Sequence, residues 1–265
     1  MKLLIKLGGT LLDAEESRYL LALQLAGLIE RSHKIVVVHG GGKQLTRYLA
    51  ERGVESRFVN GFRVTTPETL DAVVKVLAGE VNLKLVAALE QAGARAVGLT
   101  GADAGLVHAV PLAPDLGAVG RIERVRPDLL DLLTSSGYIP VVACLAGGDH
   151  GEIYNVNADQ MAVACAAHFL ADRLIFLTDV EGVLDGDKRL IPQLTLSQAL
   201  HLVETRVATG GMEAKLRASA LAVRQGVPEV HIAPGARPRV LQHLLSGRSA
   251  GTTVLADCSP PHSKV

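Results

Sequence analysis

Short apolar runs alternate with longer amphipathic stretches along the whole chain. Runs of β-branched and other apolar residues predict buried strands, and stretches whose apolar positions recur at a helical period predict helices. The predicted strands are 3–7, 35–38, 94–99, 139–144, 173–177 and 230–233. The predicted helices are 14–31, 44–50, 67–91, 127–136, 158–169, 195–204 and 208–225. This alternation predicts an α/β fold, a three-layer αβα sandwich with a largely parallel, open sheet.

Three stretches depart from the alternation of single strands and helices. Residues 57–66 predict a short hairpin, because Asn60-Gly61 favours the tight turn that joins two antiparallel strands. Residues 106–125 predict a β-rich excursion bounded by turn residues. The helix at 67–91 contains Gly79, where we expect an interruption because glycine weakens a helix.

The most distinctive stretch is His39-Gly40-Gly41-Gly42-Lys43, between the strand at 35–38 and the helix at 44–50. Successive glycines allow the backbone to approach a ligand closely and to direct its N–H groups at it. The N-terminus of the following helix carries a partial positive charge, so the favoured ligand is an anion. The alternative is a tight turn that needs a positive φ, but one glycine would usually meet that need.

Two well-known phosphate-binding loops do not fit this stretch. A P-loop begins with a glycine and has Ser or Thr after its lysine, whereas this chain has Val37 and Gln44 at those positions. The Rossmann fingerprint has a third glycine in the first helical turn, where this chain has Leu45. A nicotinamide-dependent oxidoreductase is therefore excluded.

Charged residues near other predicted strand ends are further candidates. Lys6 lies within the first apolar strand and precedes Gly8-Gly9. A buried amine is costly unless it reaches water or an anion, so Lys6 either extends to solvent or binds an anion beside a second glycine loop. Arg63 follows the Asn60-Gly61 turn and is either a surface residue or a bidentate ligand for a carboxylate.

Polar residues at two predicted helix starts have structural as well as functional interpretations. Asn157 and Gln160 resemble a capping box, and Asp159 would complement the helix dipole. Lys215 is either a solvated helical lysine or a group directed at the same ligand as its helix N-terminus. Ligands bind beside the carboxyl ends of strands in such sheets, so the clustering of candidates there favours the functional interpretations together.

Composition narrows the classes of partner. The net charge is zero, aromatic residues make up 3% and there is no Trp, so no nucleic-acid-binding surface is predicted. The nine His are scattered without metal-ligand spacing, and no metal site is predicted. No apolar run is long enough to span a membrane, and no secretory signal is evident.

The three widely spaced cysteines, Cys144, Cys165 and Cys258, favour a reducing cytoplasm, and the first two are expected to be small buried residues. The chain of 265 residues is expected to form one domain, 1–265, with a flexible tail at 257–265.

Six segments in order along the chain resemble the amino acid kinase family, over essentially its full length. They are Lys6-Leu7-Gly8-Gly9, His39-Gly40-Gly41-Gly42, Asn60-Gly61-Phe62-Arg63-Val64-Thr65, Asn155-Val156-Asn157-Ala158-Asp159, Thr178-Asp179-Val180 with Gly182-Val183-Leu184-Asp185, and Gly210-Gly211-Met212 with Lys215. The third and fourth segments most resemble members that act on N-acetyl-L-glutamate. The resemblance implies ATP-dependent phosphorylation of its γ-carboxylate to N-acetyl-L-glutamyl 5-phosphate, in arginine biosynthesis.

The resemblance also implies a role for individual residues. An N-terminal lobe, about 1–172, would bind the acyl amino acid, and a C-terminal lobe, about 173–256, would bind ATP with Mg²⁺ held through its phosphates. The implied catalytic residues are Lys6, Lys215 and Asp159. The implied substrate contacts are Gly41, Gly42, Arg63, Asn155 and Asn157. The implied ATP contacts are Gly8, Gly9, Asp179, Val180, Glu181, Gly182, Val183, Leu184, Val207, Ala208, Thr209 and Met212.

The chemistry of such a reaction agrees with these residue types. A γ-carboxylate has a pKa of about 4.3 and is already ionised at neutral pH, so the nucleophile needs no general base. The reaction instead needs positive charge around the transferred phosphoryl group, because an anion attacks a polyanion. Two lysines, Mg²⁺ and two glycine loops would supply it.

Two departures from the family pattern affect the expectations. The loop after the third predicted strand has Ala102-Asp103, where many relatives carry Lys-Asp. The chain also shows no N-terminal helical extension of the kind found in arginine-inhibited, hexameric members, so we expect an arginine-insensitive homodimer. The alternatives are a kinase for aminoadipate or glutamate, including carrier-linked substrates, and a non-catalytic nucleotide-binding relative.

Overall fold

The computed structural model describes residues 1–257, so the tail predicted at 257–265 lies outside the described residues except for Asp257. The strands are β1 Lys2–Leu7, β2 Lys34–His39, β3 Phe58–Val59, β4 Phe62–Arg63, β5 Ala96–Thr100, β6 Val107–Pro111, β7 Gly120–Val125, β8 Ile139–Ala143, β9 Leu145–Gly147, β10 Ile153–Asn155, β11 Arg173–Thr178, β12 Gln193–Thr195, β13 Glu229–Pro234 and β14 Thr252–Leu255. The α-helices are α1 Glu15–Ile29, α2 Gly42–Ala50, α3 Pro67–Val73, α4 Asn82–Gln91, α5 Asp128–Ser135, α6 Ala158–Phe169, α7 Leu196–Glu204, α8 Gly210–Arg224 and α9 Val240–Leu245. A π-helix spans Val74–Val81, and 3₁₀ turns span Gly9–Leu12, Asp103–Gly105 and Pro114–Leu116.

Eight strands form one large sheet in the order β12-β14-β13-β11-β1-β2-β8-β5. The central strand β1 pairs in parallel with both β11 and β2. The other pairs are also parallel, except for the antiparallel pair β13–β14. The predicted α/β fold with a largely parallel sheet is therefore confirmed. Strands β12 and β14 were not predicted, because neither contains more than two successive apolar residues.

Helices cover both faces of this sheet. Successive residues of a strand point to opposite faces of the sheet. The contacts of such residues show that α6 and α4 lie on opposite faces. Lys6 of β1 contacts Asp159 of α6, whereas His39, which is in register with Leu7, contacts Asn82 of α4. Helix α1 packs on α4, and α8 packs on α6, which completes the three layers.

The interruption predicted at Gly79 is wrong. Helix α3 continues through the π-helix Val74–Val81 directly into α4. Gly79 is exposed, and a Cβ there would meet nothing within 4 Å, so this position tolerates glycine without a break. The local change is a wider turn, in which each N–H donates to the carbonyl five residues earlier, instead of four residues earlier as in an α-helix.

A second sheet, in the order β10-β9-β6-β7, lies beside the large one, and β3 and β4 form a separate hairpin. The predicted β-rich excursion corresponds to β6 and β7, whereas β9 and β10 were not predicted. The predicted hairpin is also present, and φ is 49° at Asn60 and 81° at Gly61, which is the left-handed conformation that this turn requires.

The buried apolar residues form a continuous core between the sheets and their helices. Within residues 1–257, no helix combines the length and apolar character needed to cross a membrane.

Gly101 joins the two sheets. Its N–H donates to the Leu145 carbonyl and its carbonyl accepts from the Val107 N–H, both at 2.6 Å. A Cβ at this position would overlap the Leu145 carbonyl oxygen and would lie 2.8 Å from Val107 Cβ. The junction therefore has no room for any side chain.

We expect Gly101→Ala to lower the free energy of unfolding by about 1–3 kcal/mol, because it overpacks this junction. Urea denaturation measures the change. The matched control is Gly27→Ala in α1, where an added Cβ would meet nothing within 4 Å. The control should be neutral or stabilising by up to about 1 kcal/mol. Equal effects of the two substitutions would contradict the close packing at Gly101.

Candidate active site

Three loops leave the large sheet at the carboxyl ends of adjacent strands. Gly8 follows β1, Gly40 and Gly41 follow β2, and Asp179 follows β11. Because β1 lies between β2 and β11, these loops lie side by side. This edge of an open parallel sheet is where ligands bind in α/β proteins.

Three charged side chains meet at this edge. The Nζ of Lys6 lies 2.8 Å from Oδ1 of Asp159, which is in the first turn of α6. The Nζ of Lys215, in α8, lies 3.5 Å from Oδ2 of the same carboxylate. The exposed fractions of these side chains are 10%, 11% and 17% for Lys6, Asp159 and Lys215. The structure thus brings together the three residues predicted as catalytic, and we call them the ion triad.

The two lysines keep Asp159 ionised. Burial alone would raise the pKa of the Asp159 carboxyl from its ordinary value. The charges of Lys6 and Lys215, and the hydrogen bonds that they donate, outweigh burial and hold the pKa below that value. One carboxylate therefore separates two ammonium groups, and the ion triad keeps a net positive charge that can act on an anionic ligand.

The glycines beside the ion triad differ in how much room their surroundings would leave for a side chain. A Cβ at Gly41 would overlap Cδ2 of Leu77, so close packing excludes a side chain there. A Cβ at Gly42 would meet nothing within 4 Å, and this residue is exposed. A Cβ at Gly8 would lie 3.2 Å from the Leu177 carbonyl oxygen. The β2–α2 loop therefore packs closely on one side and leaves backbone accessible on the other, as an anion cradle requires.

The larger of two adjoining cavities, which we call the cationic cavity, has a volume of about 620 Å³. Its walls are formed by Lys6, Gly8, Thr10, Gly42, Lys43, Thr46, Arg47, Ala50, Phe58, Arg63, Thr178, Asp179 and Lys215. Five of these residues are Lys or Arg and one is Asp, so the cavity favours a polyanionic ligand although the whole chain has no net charge.

The smaller cavity, which we call the inner cavity, has a volume of about 170 Å³. Its polar wall contains the backbone of Gly40, Gly41 and Gly42, the side chains of Arg63, Asn155 and Asn157, and the backbone of Gly61. Its remaining wall is apolar and consists of Leu45, Phe58, Phe62, Leu77, Val119, Cys144, Val156 and Ala158. The two cavities share Gly42, Phe58 and Arg63, so ligands in them would meet at Gly42.

Arg63 lies at this junction and is only 8% exposed, which excludes the surface alternative. One terminal nitrogen donates to Thr46 Oγ1 at 2.7 Å and to the Gly42 carbonyl at 3.1 Å, and the other donates to Ser56 Oγ. The guanidinium also lies over the Phe58 ring, 4.6 Å from its centroid. Burial lowers the pKa of Arg63. Its hydroxyl partners are neutral, so an entering carboxylate would make stronger hydrogen bonds and replace them.

Asn155 and Asn157 have different local roles. The Asn157 Oδ1 accepts from the N–H groups of Asp159 and Gln160 at 2.9 and 3.1 Å, so Asn157 caps α6 as one of its two interpretations predicted. The Asn155 Nδ2 donates to Thr65 Oγ1 at 3.1 Å. Both residues also line the inner cavity, where they would present amide groups to a ligand.

The residues predicted to contact ATP do not all reach the cationic cavity. Gly8 and Asp179 line it, and Gly9 begins the adjacent 3₁₀ turn, but the walls do not include residues 180–184 or 207–209. The exposed residues of these two segments are Val180, Glu181, Leu184, Val207 and Thr209. The buried ones are Gly182, Val183 and Ala208, and Met212 is half-buried. Val183 and Ala208 pack in the hydrophobic core, so only their backbone groups could contact a ligand.

Several wall residues were missed from the sequence. Lys43, Arg47 and Ala50 line the cationic cavity together with Thr46. Their spacing of three to four residues along α2 is the signal that could have found them, because such positions share one helix face. Thr10 and Thr178 are adjacent to predicted residues in the loops after β1 and β11.

Both described cysteines are protonated at neutral pH. Burial raises the pKa of Cys144 to about 11 and that of Cys165 to about 12, so neither is a reactive thiolate. Cys258 lies outside the described residues. Within residues 1–257, no group of three or more His, Cys, Asp or Glu is arranged to hold a metal ion.

Known proteins share this fold and much of this sequence. The model of the amino acid kinase family matches residues 1–234. The acetylglutamate kinase of Solibacter usitatus is 58% identical over 255 residues, covering 96% of this chain and 99% of that protein.

Two solved structures share the fold of this chain. The N-acetylglutamate synthase of Neisseria gonorrhoeae, complexed with coenzyme A and N-acetyl-glutamate, has a TM-score of 0.88 at 25% identity. The match covers 97% of this chain but only 60% of the synthase chain. Carbamate kinase from Giardia lamblia, bound to AMP-PNP, has a TM-score of 0.72 at 16% identity, over 97% of this chain and 98% of that chain.

The ion triad predicts a pH dependence of stability. Because the folded-state pKa of Asp159 is lowered, its contribution to stability is fully present above the unfolded pKa of about 3.9. That contribution is lost as the pH falls through the folded-state value. We expect Asp159→Asn to lower the free energy of unfolding at pH 7 by about 3 kcal/mol, since it leaves two buried ammonium groups unpaired.

Urea denaturation at pH 7 and near pH 3 checks this expectation, because the difference from wild type should begin to shrink once Asp159 of the unfolded chain becomes protonated, below about pH 3.9. Asp71→Asn is the control, since Asp71 pairs with Lys75 at the surface and its side chain is 61% exposed. That substitution should change stability by less than about 1 kcal/mol at either pH. A deficit of Asp159→Asn that is the same at both pH values would contradict the assigned ion pairing.

Proposed function

The chain belongs to the amino acid kinase family, and from this premise we propose that it transfers the γ-phosphoryl group of ATP to the γ-carboxylate of N-acetyl-L-glutamate. The observation that carries this proposal is the ion triad, two of whose members, Lys6 and Lys215, line the cationic cavity. The high identity to an acetylglutamate kinase over nearly the whole chain supports the choice of acceptor. The product would be N-acetyl-L-glutamyl 5-phosphate, an intermediate of arginine biosynthesis.

The proposed mechanism needs no proton transfer. A γ-carboxylate is ionised at neutral pH and attacks the γ-phosphorus directly, while the bond to the β-phosphate oxygen of ATP breaks and ADP leaves. Charge spreads over the phosphoryl oxygens as this occurs. Lys6 and Lys215 would stabilise that charge, and Asp159 keeps their ammonium groups in place before the ligands bind.

The two cavities suit the two substrates. The inner cavity is lined by both polar groups and apolar residues, which suits an acyl amino acid with two carboxylates. Arg63 would bind the α-carboxylate, Asn155 and Asn157 the acetamido end, and Gly41 and Gly42 the γ-carboxylate and the transferred group. We therefore retain about 1–172 as the lobe for the acyl amino acid.

ATP would lie with its phosphates in the cationic cavity, beside Gly8 and Gly9. Its nucleoside would extend over the exposed residues of 179–184 and 207–209 and towards Met212, in a lobe of about 173–256. Mg²⁺ would neutralise phosphate charge, held mainly by phosphate oxygens. Asp179 is the acidic residue in the wall of the cationic cavity and suits this cation or its water ligands.

We further propose that the reaction takes place in the cytoplasm, where reduced thiols such as the buried Cys144 and Cys165 persist.

The first test measures ADP release by the purified protein with Mg-ATP. N-acetylglutamate should support turnover, and glutamate, aspartate and N-acetyl-aminoadipate should support much less. Hydroxylamine should trap the acyl phosphate as a hydroxamate. Preference for N-acetyl-aminoadipate would favour the lysine-type alternative, and ATP binding without any turnover would favour a non-catalytic or carrier-dependent role.

Lys6→Ala tests the assigned mechanism. We expect kcat to fall by about 100- to 1,000-fold, the usual effect of removing one preorganised group that stabilises developing charge. The matched control is Lys75→Ala, which removes an exposed surface pair with Asp71 and should leave kcat unchanged. Circular dichroism checks that both variants fold. Near-normal kcat in folded Lys6→Ala would refute the role of Lys6.

The homodimer that we propose would use one of the two edges of the large sheet, the other edge being β12. Strand β5 forms the proposed edge, and Leu83 of the adjacent α4 is 68% exposed. An open edge strand beside an apolar side chain favours pairing with a second copy.

Light scattering coupled to gel filtration should give a dimer mass for the wild type. Leu83→Glu should shift the mass towards the monomer, whereas Leu170→Glu should not, since Leu170 is 76% exposed but lies at the end of α6. A monomeric wild type at micromolar concentration would overturn the proposed assembly.

A further inference from the structure

A buried histidine and asparagine lie directly behind the glycine loop. His39 is the last residue of β2 and is completely buried, and its Nδ1 lies 2.8 Å from the Gly40 carbonyl oxygen. Its other ring nitrogen, Nε2, lies 3.0 Å from Nδ2 of Asn82. Asn82 is the first residue of α4 and is 4% exposed.

The partners of Asn82 determine the protonation of the ring. Its Nδ2 also lies 2.8 Å from the Val141 carbonyl oxygen and 3.4 Å from the Leu99 carbonyl oxygen. Carbonyl oxygens only accept hydrogen bonds, so this atom of Asn82 is the donating nitrogen of the amide. An amide nitrogen cannot accept a hydrogen bond, so in the 3.0 Å contact Nε2 of His39 is the acceptor, and the proton of the neutral imidazole is on Nδ1. Burial lowers the pKa of His39 to about 4, which agrees with a neutral ring at pH 7.

This protonation fixes the direction of one peptide group. With its proton on Nδ1, His39 donates to the Gly40 carbonyl and holds that oxygen against the core. In a trans peptide, the carbonyl of one residue and the N–H of the next point in opposite directions. The Gly41 N–H is therefore turned away from His39, and Gly41 itself lines the inner cavity.

The π-helix places Leu77, Val81 and the neighbouring Asn82 beside the glycine loop. Leu77 and Val81 of the π-helix pack against the Cα of Gly41, and Asn82 follows directly. Room for the Asn82 amide comes from Gly98 in β5, where a Cβ would overlap Asn82 Oδ1. The loop is thus held by packing from Leu77 and by one hydrogen bond from His39.

We infer that His39 and Asn82 are positioning residues for phosphoryl transfer, which hold the Gly40–Gly41 peptide so that the Gly41 N–H faces the transferred group. The inference rests on the proposed function. Neither residue lines the inner or the cationic cavity, so both act through the glycine backbone. A donor that is already oriented costs no reorganisation as charge develops, so loss of the orientation should affect kcat more than KM.

Two substitutions at His39 separate orientation from packing. His39→Asn retains an amide N–H near the former position of Nδ1 and can still donate to Gly40, whereas His39→Leu fills similar space without a donor. We expect kcat to fall at least about tenfold in His39→Leu and to recover most of this loss in His39→Asn. Both KM values should change less than kcat. Thermal unfolding is recorded so that rates are compared well below each midpoint.

The outcomes are distinct. A folded His39→Leu with wild-type kcat would overturn the inference, and so would equal losses in the two variants, because the donor to Gly40 would then be irrelevant. Absence of turnover by the wild type with any acceptor would instead count against the proposed function.

A measurement that does not depend on enzyme activity tests the inference even if His39→Leu does not fold. Long-range ¹H–¹⁵N spectra of ¹⁵N-histidine-labelled wild type distinguish the two neutral forms of the ring and the charged form. The His39 signals, assigned by their disappearance in His39→Asn, should show a neutral ring with its proton on Nδ1 at pH 7. A proton on Nε2, or a charged ring, would overturn the inference.

Discussion

The ion triad is the constraint on which the rest of the site depends. A lysine within a central strand is tolerable only if its charge is compensated, and Asp159 supplies that compensation at 2.8 Å. The same carboxylate holds Lys215 from α8, so one acid ties β1, α6 and α8 together. Its pair of oxygens also determines how far apart the two ammonium groups lie. The ion pairing that offsets the cost of burying Lys6 therefore also concentrates positive charge at the carboxyl edge of the sheet.

The net charge of the whole chain differs from the charge around the cationic cavity. The chain as a whole is neutral, yet Lys43, Arg47 and Arg63 join the two lysines of the ion triad around one cavity. Field lines concentrate in such a cleft, so the local excess governs which ligands enter it. A net charge calculated from composition can therefore exclude a broad basic surface, but it says nothing about a small cationic cavity.

Much of the fold could be predicted because period and length are local signals. The central strands and most helices followed from apolar patterning, and the hairpin followed from Asn60-Gly61. The small sheet was predicted only in part, since β9 and β10 have three residues each. The π-helix was not predictable, because it differs from an α-helix in hydrogen bonding and hardly at all in its apolar pattern.

The site was predictable where a residue type was out of place for its surroundings. Lys6 in an apolar strand was such a case, and Asp159 and Lys215 became significant only alongside it. Asn82 was equally out of place, since Val81, Leu85 and Ala88 around it are buried, and this polar residue on an apolar face was the signal that was missed. The contact between His39 and Asn82 depends on tertiary packing, which no sequence window contains.

The ion triad also has a consequence for how the chain folds. Asp159 lies 56 residues before Lys215, and Lys6 belongs to the first strand of the chain, so its contacts are among the most distant in sequence. Long-range contacts form late, because the entropy of closing large loops is lost before the contacts stabilise the chain. Lys6 and Asp159 are separate until β1 and α6 have docked, and Lys215 joins them only when α8 has docked. A chain growing on the ribosome therefore cannot assemble this site until α8 has emerged, and partly synthesised chains carry none of its chemistry.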